Sequence, residues 1–356
     1  MKIGILGAGR IGVSIAALLD TAAFVDTVIL GDARMIENMD RFPKTCFRQL
    51  DALEASALEN FVRDCDAIVC AAPYHLNKPV ARVCARLDRS YFDLAGDVDT
   101  ANFVRGLAEG SLSTFMPQCG LAPGAINIIG SGLAHLLKTV RSLEMRVGAF
   151  PLAAGNQMKY YLTCSAARLI HEYCRCGEAL SQGRRISTLP FHGVEHLTID
   201  GIEYEAFNTS GGVATMCDTF EGRIGELNYK TLRYPGHGDP LKLLLSDLNL
   251  SQRQNLLTLI FNQEMPLTLS DVVVVYVNTV GKDKSGFVQG RFVKKIYPQT
   301  VQGRSLSAIQ LSTAAGAVAA IELFARGHLP AGFVKAGIDR SGRVFRYRMG
   351  WPRLSG

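Results

Sequence analysis

The chain has 356 residues, enough for two domains, and its 48% hydrophobic and 20% charged residues are typical of a soluble globular protein rather than a disordered one. The net charge of +6 is modest, and the basic residues are scattered without long Lys/Arg blocks or interleaved aromatic residues. This pattern disfavours nucleic-acid binding and is compatible with anionic small-molecule ligands.

Cysteine usage and hydropathy indicate the cellular compartment. Nine cysteines form no CxxC pair, their number is odd, and no signal peptide precedes a first strand that starts at residue 2. We therefore expect free thiols in a cytoplasmic protein. The longest apolar stretch, residues 306–325, contains Gln310, Ser312, Thr313 and Glu322, which favours a buried helix over a membrane span, and we expect no membrane partner.

The first thirty-two residues predict a strand, a glycine turn, a helix, a second strand and an acidic residue. This is the order in which a Rossmann domain binds the pyrophosphate of a dinucleotide. The predicted cofactor-binding residues of the turn and helix start are Gly7, Ala8, Gly9, Arg10, Ile11 and Gly12.

Each part of this motif has a physical role in binding a nucleotide. Gly7 permits the tight turn, Gly9 lets the pyrophosphate approach the backbone, and Gly12 lets the helix pack closely on the strand. Asp32 is placed to accept hydrogen bonds from a ribose diol, and its charge would repel a 2′-phosphate, which favours NAD. Arg34 could pair with a 2′-phosphate, so the sequence leaves NADP open.

Residues 1–122 continue to alternate short apolar strands with helical segments, one of them at residues 33–41. This alternation predicts an α/β fold with a doubly wound parallel sheet, whose ligands lie beyond the carboxyl ends of the strands. We expect Asp97 to cap a helix and keep Asp93 as a candidate to orient or deprotonate a substrate amine. Cys119 could touch the nicotinamide or the substrate, although buried inert cysteines are commoner. Other residues predicted at the strand ends, as cofactor contacts, are Asp51, Ala72 and Pro73.

The pattern changes near Pro123 and Gly124. Residues 123–304 mix strand-like and helical segments, which predicts an α+β domain with a mainly antiparallel sheet that binds substrate. Residues 305–356 are predicted to form a helix and tail that return to the first domain.

A dense polar stretch in the second domain contains the candidate substrate groups. Arg233 can grip a carboxylate through two parallel hydrogen bonds, which Lys230 cannot do. Asn208 and Thr209, the latter followed by Ser210 and two glycines, could offer an anion polar groups. The alternative is that Lys230 and Arg233 are solvated surface charges.

His192 and His196 match the HxxEH pattern of some metalloproteases. Metal binding by this pattern needs a helix, and Pro190 and Gly193 interrupt any helix here, so we predict no metal site.

Five blocks together resemble the saccharopine dehydrogenase family, in particular its lysine 6-dehydrogenase-like branch. They occur in the family's order along nearly the whole chain: GAGRIG at 7–12, YFDLAGD at 91–97, PQCGLAPGAINI at 117–128, EAFNTSGG at 205–212 and NYKTLRYPGH at 228–237. The resemblance implies a Rossmann domain split in sequence and an inserted domain that binds substrate and usually pairs subunits, hence a homodimer. It also implies pyridine-nucleotide oxidation of a carbon–nitrogen bond in an amino acid or polyamine precursor.

The residue roles follow from this resemblance together with the chemistry. Hydride transfer from a carbon bearing an amine requires that the amine first lose a proton, for which Lys230 or His237 is the candidate base and Asp93 the orienting group. Arg233 would anchor the carboxylate, with Asn208, Thr209, Tyr229 and Cys119 as further substrate contacts. The alternatives are a carboxynorspermidine-type polyamine dehydrogenase and a non-catalytic dinucleotide-binding redox sensor.

Overall fold

The computed structural model describes residues 1–35 and 42–335. Most of the helix predicted at 33–41 and the tail from 336 onward lie outside the described residues. The chain divides into two compact units. Unit 1 comprises Met1–Ile128, Thr300–Arg304 and the chain from Gln310 onward, and unit 2 comprises Ile129–Gln299 and Ser305–Ile309.

Strands and helices alternate along the amino-terminal part of unit 1. In chain order they are β1 (Lys2–Leu6), α1 (Arg10–Asp20), β2 (Thr27–Asp32), β3 (Thr45–Gln49), α2 (Ala55–Arg63), β4 (Ala67–Cys70), a 3-10 helix (Tyr74–Leu76), α3 (Asn77–Arg86), β5 (Ser90–Asp93), α4 (Val98–Leu107), β6 (Thr114–Met116) and α5 (Ala125–Ala134). The predicted cap of α4 is confirmed, because the Asp97 carboxylate accepts a hydrogen bond from the Thr100 N–H at 2.7 Å.

The next elements mix long strands with short helices and belong to unit 2 as far as Ile296, and the hairpin that ends the series has Thr300–Arg304 in unit 1. In chain order they are β7 (Thr139–Pro151), α6 (Ala166–Cys174), β8 (Gly177–Ser181), β9 (Arg184–Thr188), β10 (Glu195–Ile199), β11 (Ile202–Phe207), α7 (Met216–Phe220), β12 (Ile224–Arg233), α8 (Gly238–Lys242), a π-helical turn (Leu243–Asp247), a 3-10 helix (Leu250–Arg253), α9 (Gln254–Glu264), β13 (Asp271–Lys282), β14 (Phe287–Ile296), β15 (Gln299–Val301) and β16 (Arg304–Leu306).

The chain then forms α10 (Ala308–Ala325) and β17 (Gly332–Phe333). Among the described residues, α10 alone is long and apolar enough to satisfy the length and composition of a membrane span, and 61% of it is buried inside the protein. Its residues Ala314, Ala317 and Ile321 belong to the core of unit 1. The Asp271 carboxylate caps the start of α10, where it accepts hydrogen bonds from the N–H groups of Ala308 at 2.6 Å and Ile309 at 3.0 Å.

The sheet of unit 1 is parallel and covered on both faces. The described strands lie in the order β17–β6–β5–β4–β1–β2–β3, and every neighbouring pair is parallel. Helices α1 and α10 pack on one face and α2, α3 and α4 on the other. The predicted doubly wound fold is therefore confirmed, and the order of strands reverses at β1, where such sheets bind ligands.

The main sheet of unit 2 is mostly antiparallel, as predicted. Its described strands follow the path β10–β11–β12–β7–β13–β14, with β8 paired to β12 and to β9. The exception is the parallel pair formed by β12 and β7, in which Lys230 lies opposite Arg146.

Candidate functional site

The glycine turn between β1 and α1 has the shape that nucleotide binding requires. Gly7 has φ of +99°, and a side chain there would meet the backbone of Ala72 at 2.7 Å. A Cβ at Gly12 would lie 1.8 Å from the Gly7 carbonyl oxygen, so only glycine lets α1 pack this closely on β1. At Gly9 a Cβ would meet nothing within 4 Å among the described residues, which leaves open space beside the backbone.

The amino-terminal end of α1 faces this turn. Gly9 is the residue before the helix and has no side chain with which to cap it, and Arg10 is exposed. The N–H groups and the positive end of the helix dipole are therefore suited to phosphate oxygens. Ala8 and Ile11 carry the turn's apolar contacts to the core of unit 1.

Asp32 ends β2 beside the turn. One oxygen of its carboxylate accepts a hydrogen bond from the Ala8 N–H at 2.8 Å, and the other accepts from the Arg34 N–H at 2.9 Å. The Arg34 guanidinium, which is 83% exposed, lies 3.6 Å from the same carboxylate. Asp32 is thus fixed where the sequence places a ribose acceptor, with an exposed cation next to it.

Three other residues predicted at the strand ends differ in their surroundings. Ala72 supports the glycine turn through its backbone. Pro73 is exposed and precedes the 3-10 helix, whose Leu76 N–H donates to the Pro73 carbonyl at 2.9 Å. Asp51 is exposed, and its carboxylate accepts from the Leu53 N–H at 2.9 Å within its own loop.

Asp93 is fully buried at the end of β5 and organises the loops after β5 and β6. Its carboxylate accepts hydrogen bonds from the Tyr91 hydroxyl at 2.9 Å, the Ala95 N–H at 2.9 Å and the Gln118 N–H at 3.0 Å. Burial raises its pKa to about 6, although these hydrogen bonds oppose the shift. The geometry makes Asp93 a positioning residue for the strand ends of unit 1.

Cys119 is also buried. Its N–H donates to the Asp93 carbonyl at 2.8 Å, and its thiol donates to the Met116 carbonyl at 2.9 Å. Burial raises the pKa of the Cys119 thiol well above its usual range, so the group is a neutral thiol. Its proton is engaged in the hydrogen bond to the Met116 carbonyl.

In unit 2, Lys230 and Arg233 point to opposite faces of the sheet. They are three residues apart on β12, and side chains alternate between the faces of a strand. The sequence places both cations in one polar stretch, but the strand does not bring their side chains together.

Lys230 belongs to an ionic cluster with Glu195 and Arg146. Its ammonium donates to Glu195 Oε2 at 2.6 Å, while the buried Arg146 guanidinium bonds both oxygens of the same carboxylate and Asn228 Oδ1. Although burial alone would raise the pKa of Glu195, the hydrogen bonds and charges of Arg146 and Lys230 lower it. Lys230 is therefore held in an ion pair with Glu195.

Arg233 lies on the other face, enclosed by aromatic rings. Its guanidinium carbon is 5.2 Å from the centroid of the Tyr160 ring and 5.7 Å from that of Tyr173. One terminal nitrogen donates to the Leu232 carbonyl at 2.8 Å, but its buried Nε has no hydrogen-bond partner among the described residues. Glu172, next to Tyr173 on α6, interacts with the Arg233 charge, and burial raises the pKa of Glu172.

His237 is fully buried in the same cluster. Its Nδ1 lies 2.8 Å from the Met158 carbonyl, which can only accept, so Nδ1 carries the proton and Nε2 accepts from the Tyr173 hydroxyl at 3.1 Å. Burial lowers the pKa of His237 to about 3, and the Arg233 charge adds to the shift. His237 is a neutral imidazole with both nitrogens engaged.

The remaining predicted substrate residues lie around this cluster. The Thr209 and Thr231 hydroxyls share a hydrogen bond of 2.7 Å, and both residues are buried. Tyr229 packs against Gly212, where a Cβ would meet its ring at 2.2 Å. Asn208 pairs through its backbone with Phe191 and His192.

The HxxEH segment is not helical, as its glycine and proline predict. His192 lies in a loop and His196 on β10, while Glu195 holds Arg146 and Lys230. Within residues 1–35 and 42–335, no group of three or more His, Cys, Asp or Glu side chains is arranged to hold a metal ion.

Sequence reasoning missed several members of these clusters. Tyr160, Glu172 and Tyr173 come from outside the polar stretch, and only tertiary structure brings them to Arg233. Gln118 was visible next to Cys119, but its unusual backbone gives no sequence signal.

Comparison with known proteins agrees with this description. Residues 3–111 match the model of the saccharopine dehydrogenase NADP binding domain. The fold is similar to that of an apo, histidine-tagged saccharopine dehydrogenase (L-Glu forming) from Saccharomyces cerevisiae, with a TM-score of 0.74, 14% identity and 94% of each chain covered.

Two other solved structures are more distant. DAP dehydrogenase of C. glutamicum in complex with DAP has a TM-score of 0.46 and 12% identity, covering 94% of this chain and 92% of that one. A probable dehydrogenase from Thermotoga maritima has a TM-score of 0.46 and 12% identity, covering 94% and 91%. At these scores neither adds to the conclusion on the fold.

Proposed function

We propose that the chain is an NAD(P)-dependent oxidoreductase of the saccharopine dehydrogenase type, and that it acts on a carbon–nitrogen bond of an amino acid or a related amine. The match of residues 3–111 to the saccharopine dehydrogenase NADP binding domain and the similarity of the fold support this proposal. The nucleotide would bind at the glycine turn, with its pyrophosphate on the start of α1 and its adenosine ribose on Asp32. The carboxylate of Asp32 supports NAD, and the exposed Arg34 is the group that would accept a 2′-phosphate.

The observation that carries the proposal is the environment of Arg233. A guanidinium that is 95% buried cannot lose its charge, and burying such an ion without a hydrogen-bond partner for each donor is unfavourable. Its Nε lacks a partner among the described residues. A substrate carboxylate would supply an acceptor and a compensating charge, which supports an amino-acid substrate.

The substrate amine must lose a proton before hydride can leave its carbon. His237 is a poor acceptor, because its pKa is about 3 and Tyr173 occupies its free nitrogen. Lys230 would first have to leave Glu195. The half-buried Glu172, whose pKa is raised by burial and which interacts with Arg233, is better suited, and we assign it the role of base.

Bound NAD(P)⁺ would supply the two-electron acceptor for a hydride from the substrate carbon. Glu172 would take one proton from the substrate ammonium, and the iminium ion left after hydride loss would react with one water to give a carbonyl compound and an amine or ammonia. The reverse sequence would be a reductive amination.

The test is a screen of absorbance at the reduced-nicotinamide band. Lysine, saccharopine and carboxylated polyamines are each supplied with NAD⁺ and NADP⁺, and the corresponding carbonyl compounds and amines with the reduced cofactors. We expect turnover with at least one substrate that carries a carboxylate. Binding of the dinucleotide without turnover of any amine or imine would favour the redox sensor instead.

The homodimer implied by the sequence is part of this proposal. Sedimentation equilibrium of the full chain should give a mass of twice 38.7 kDa.

A further inference from the structure

Gln118, at the carboxyl end of β6 in unit 1, combines two unfavourable features. Its backbone has φ of +65°, a left-handed conformation that residues other than glycine rarely adopt. Its side chain is only 2% exposed, and its Nε2 has no hydrogen-bond partner among the residues that the structure describes. A buried donor without a hydrogen-bond partner destabilises the folded protein.

Two other glutamines share the backbone conformation, and each lies in a turn that requires it. Gln182 and Gln302 have φ of +50° and +49°, and each precedes a glycine in the two-residue turn of a hairpin, β8–β9 and β15–β16. Such turns require positive φ. The Gln302 Nε2 donates to Asp20, so its amide donor is satisfied, while its buried Oε1 has no partner among the described residues. Gln182 is exposed. A hairpin therefore explains these two glutamines, whereas Gln118 follows a parallel strand and has no such explanation.

The conformation of Gln118 is held in place by its neighbours. Its own N–H donates to the Asp93 carboxylate at 3.0 Å, and the N–H of Cys119 donates to the Asp93 carbonyl at 2.8 Å. Tyr91 fixes the other oxygen of the carboxylate. Strain that the surroundings hold in this way is typical of ligand-binding positions.

The order of strands indicates which part of the nucleotide reaches Gln118. Asp32 follows β2, on one side of β1, and places the adenosine half over β2 and β3. The other half must extend over β4, β5 and β6 on the opposite side of β1, because the pyrophosphate is fixed at the glycine turn. Gln118 follows β6, the last of these three strands, and so lies where the nicotinamide half is expected.

We propose that the Gln118 side-chain amide donates a hydrogen bond to the carboxamide oxygen of the nicotinamide, which makes Gln118 a positioning residue for the redox-active ring. The inference rests on the proposed function only for the use of a nicotinamide dinucleotide. The bond would satisfy the buried donor and fix the rotation of the carboxamide, and with it the face of the ring that is presented.

The experiment compares two ligands that differ only in the nicotinamide. Calorimetry measures the Kd of the preferred dinucleotide and of the matching ADP-ribose, with or without the 2′-phosphate, for the full chain. The variant is Gln118→Gly, which suits a positive φ and removes the amide. Gln182→Gly is the matched control, because it makes the same change at an exposed glutamine with a similar φ.

We expect Gln118→Gly to weaken the dinucleotide about 5- to 30-fold, as for the loss of about 1–2 kcal/mol of hydrogen bonding, and to leave ADP-ribose within twofold. The control should change neither Kd. If Gln118→Gly does not fold, Gln118→Asn, which also tolerates positive φ and withdraws the amide by one methylene, is read in the same way.

Two results would overturn the inference while leaving the proposed function intact. One is unchanged dinucleotide binding by Gln118→Gly, and the other is an equal loss for the dinucleotide and ADP-ribose, which would indicate a purely structural role. A wild-type chain that binds neither dinucleotide would instead refute the proposed function itself.

Discussion

Lys230 and Arg233 lie on one strand, but their side chains have different surroundings. The Lys230 ammonium pairs with Glu195, whereas the Arg233 guanidinium lies among aromatic rings on the opposite face of the sheet. Two cations that are neighbours in sequence therefore have separate partners. Their separation allows the role of each to be tested without disturbing the other.

Arg233→Lys should raise KM for a carboxylate substrate and lower kcat/KM by about 10- to 100-fold, because lysine keeps the charge but cannot form two parallel hydrogen bonds. Steady-state kinetics with the substrate found in the screen measure the change. The Kd of the dinucleotide should stay as in wild type, which serves as the control for folding. A wild-type KM would show that Arg233 is not the carboxylate anchor.

Lys230→Met should leave kcat/KM within about threefold of wild type, since Lys230 lies on the other face from Arg233. It should lower stability by about 1 kcal/mol or less, because Arg146 still neutralises Glu195. Kinetics and urea unfolding check the two effects. A loss of a hundredfold with normal stability would restore Lys230 as the base and displace Glu172.

Because His237 is neutral in the folded protein, the free energy of unfolding should depend on pH. Its folded pKa is about 3 and its unfolded pKa is 6.5, so the unfolded state binds more protons as pH falls through this window. The stability that neutral His237 contributes is fully present above about pH 6.5. It declines as the pH falls towards 3, by up to about 1.4 kcal/mol per pH unit.

The difference in stability between wild type and His237→Gln isolates this group. The variant should be less stable at pH 7, and the deficit should shrink as the pH falls to 4. His196→Gln, the same substitution at an exposed position on β10, is the matched control. An NMR titration in which His237 protonates near pH 6.5 would contradict the prediction.

The contribution of Asp93 to folding stability should change with pH in the opposite direction. Its folded pKa of about 6 exceeds its unfolded value of 3.8, so the folded state binds the extra proton and wild type loses stability as the pH rises between these values. Asp93→Asn cannot ionise and should become more stable relative to wild type over that range, with a constant difference above it. A flat difference between wild type and Asp93→Asn across this range would refute the assigned pKa.

The parallel sheet and the glycine turn could be predicted because their signals are local. The strands and helices of the amino-terminal part of unit 1 follow from short stretches of sequence, and the hydrogen bond that the Thr100 N–H donates to the Asp97 carboxylate spans three residues. The sequence alone grouped Lys230 and Arg233 in one polar site, whereas a spacing of three on β12 places their side chains on opposite faces.

The partners of these cations were not readable from one sequence. Glu195 reaches Lys230 only through the register of β10, β11 and β12, and Tyr160 and Tyr173 reach Arg233 from segments about sixty to seventy residues earlier in the chain. The positive φ of Gln118 also depends on the distant Asp93 carboxylate, and no composition signal accompanies it.

The split of unit 1 affects the order in which the protein can mature on the ribosome. β6 finds its outer neighbour β17 only after more than two hundred further residues, and α10 supplies Ala314, Ala317 and Ile321 to the core equally late. During synthesis the nascent amino-terminal sheet therefore has a bare edge and an incomplete hydrophobic face while all of unit 2 is being made. Chaperone dependence and aggregation of truncated chains should accordingly be concentrated in unit 1, even though it is translated first.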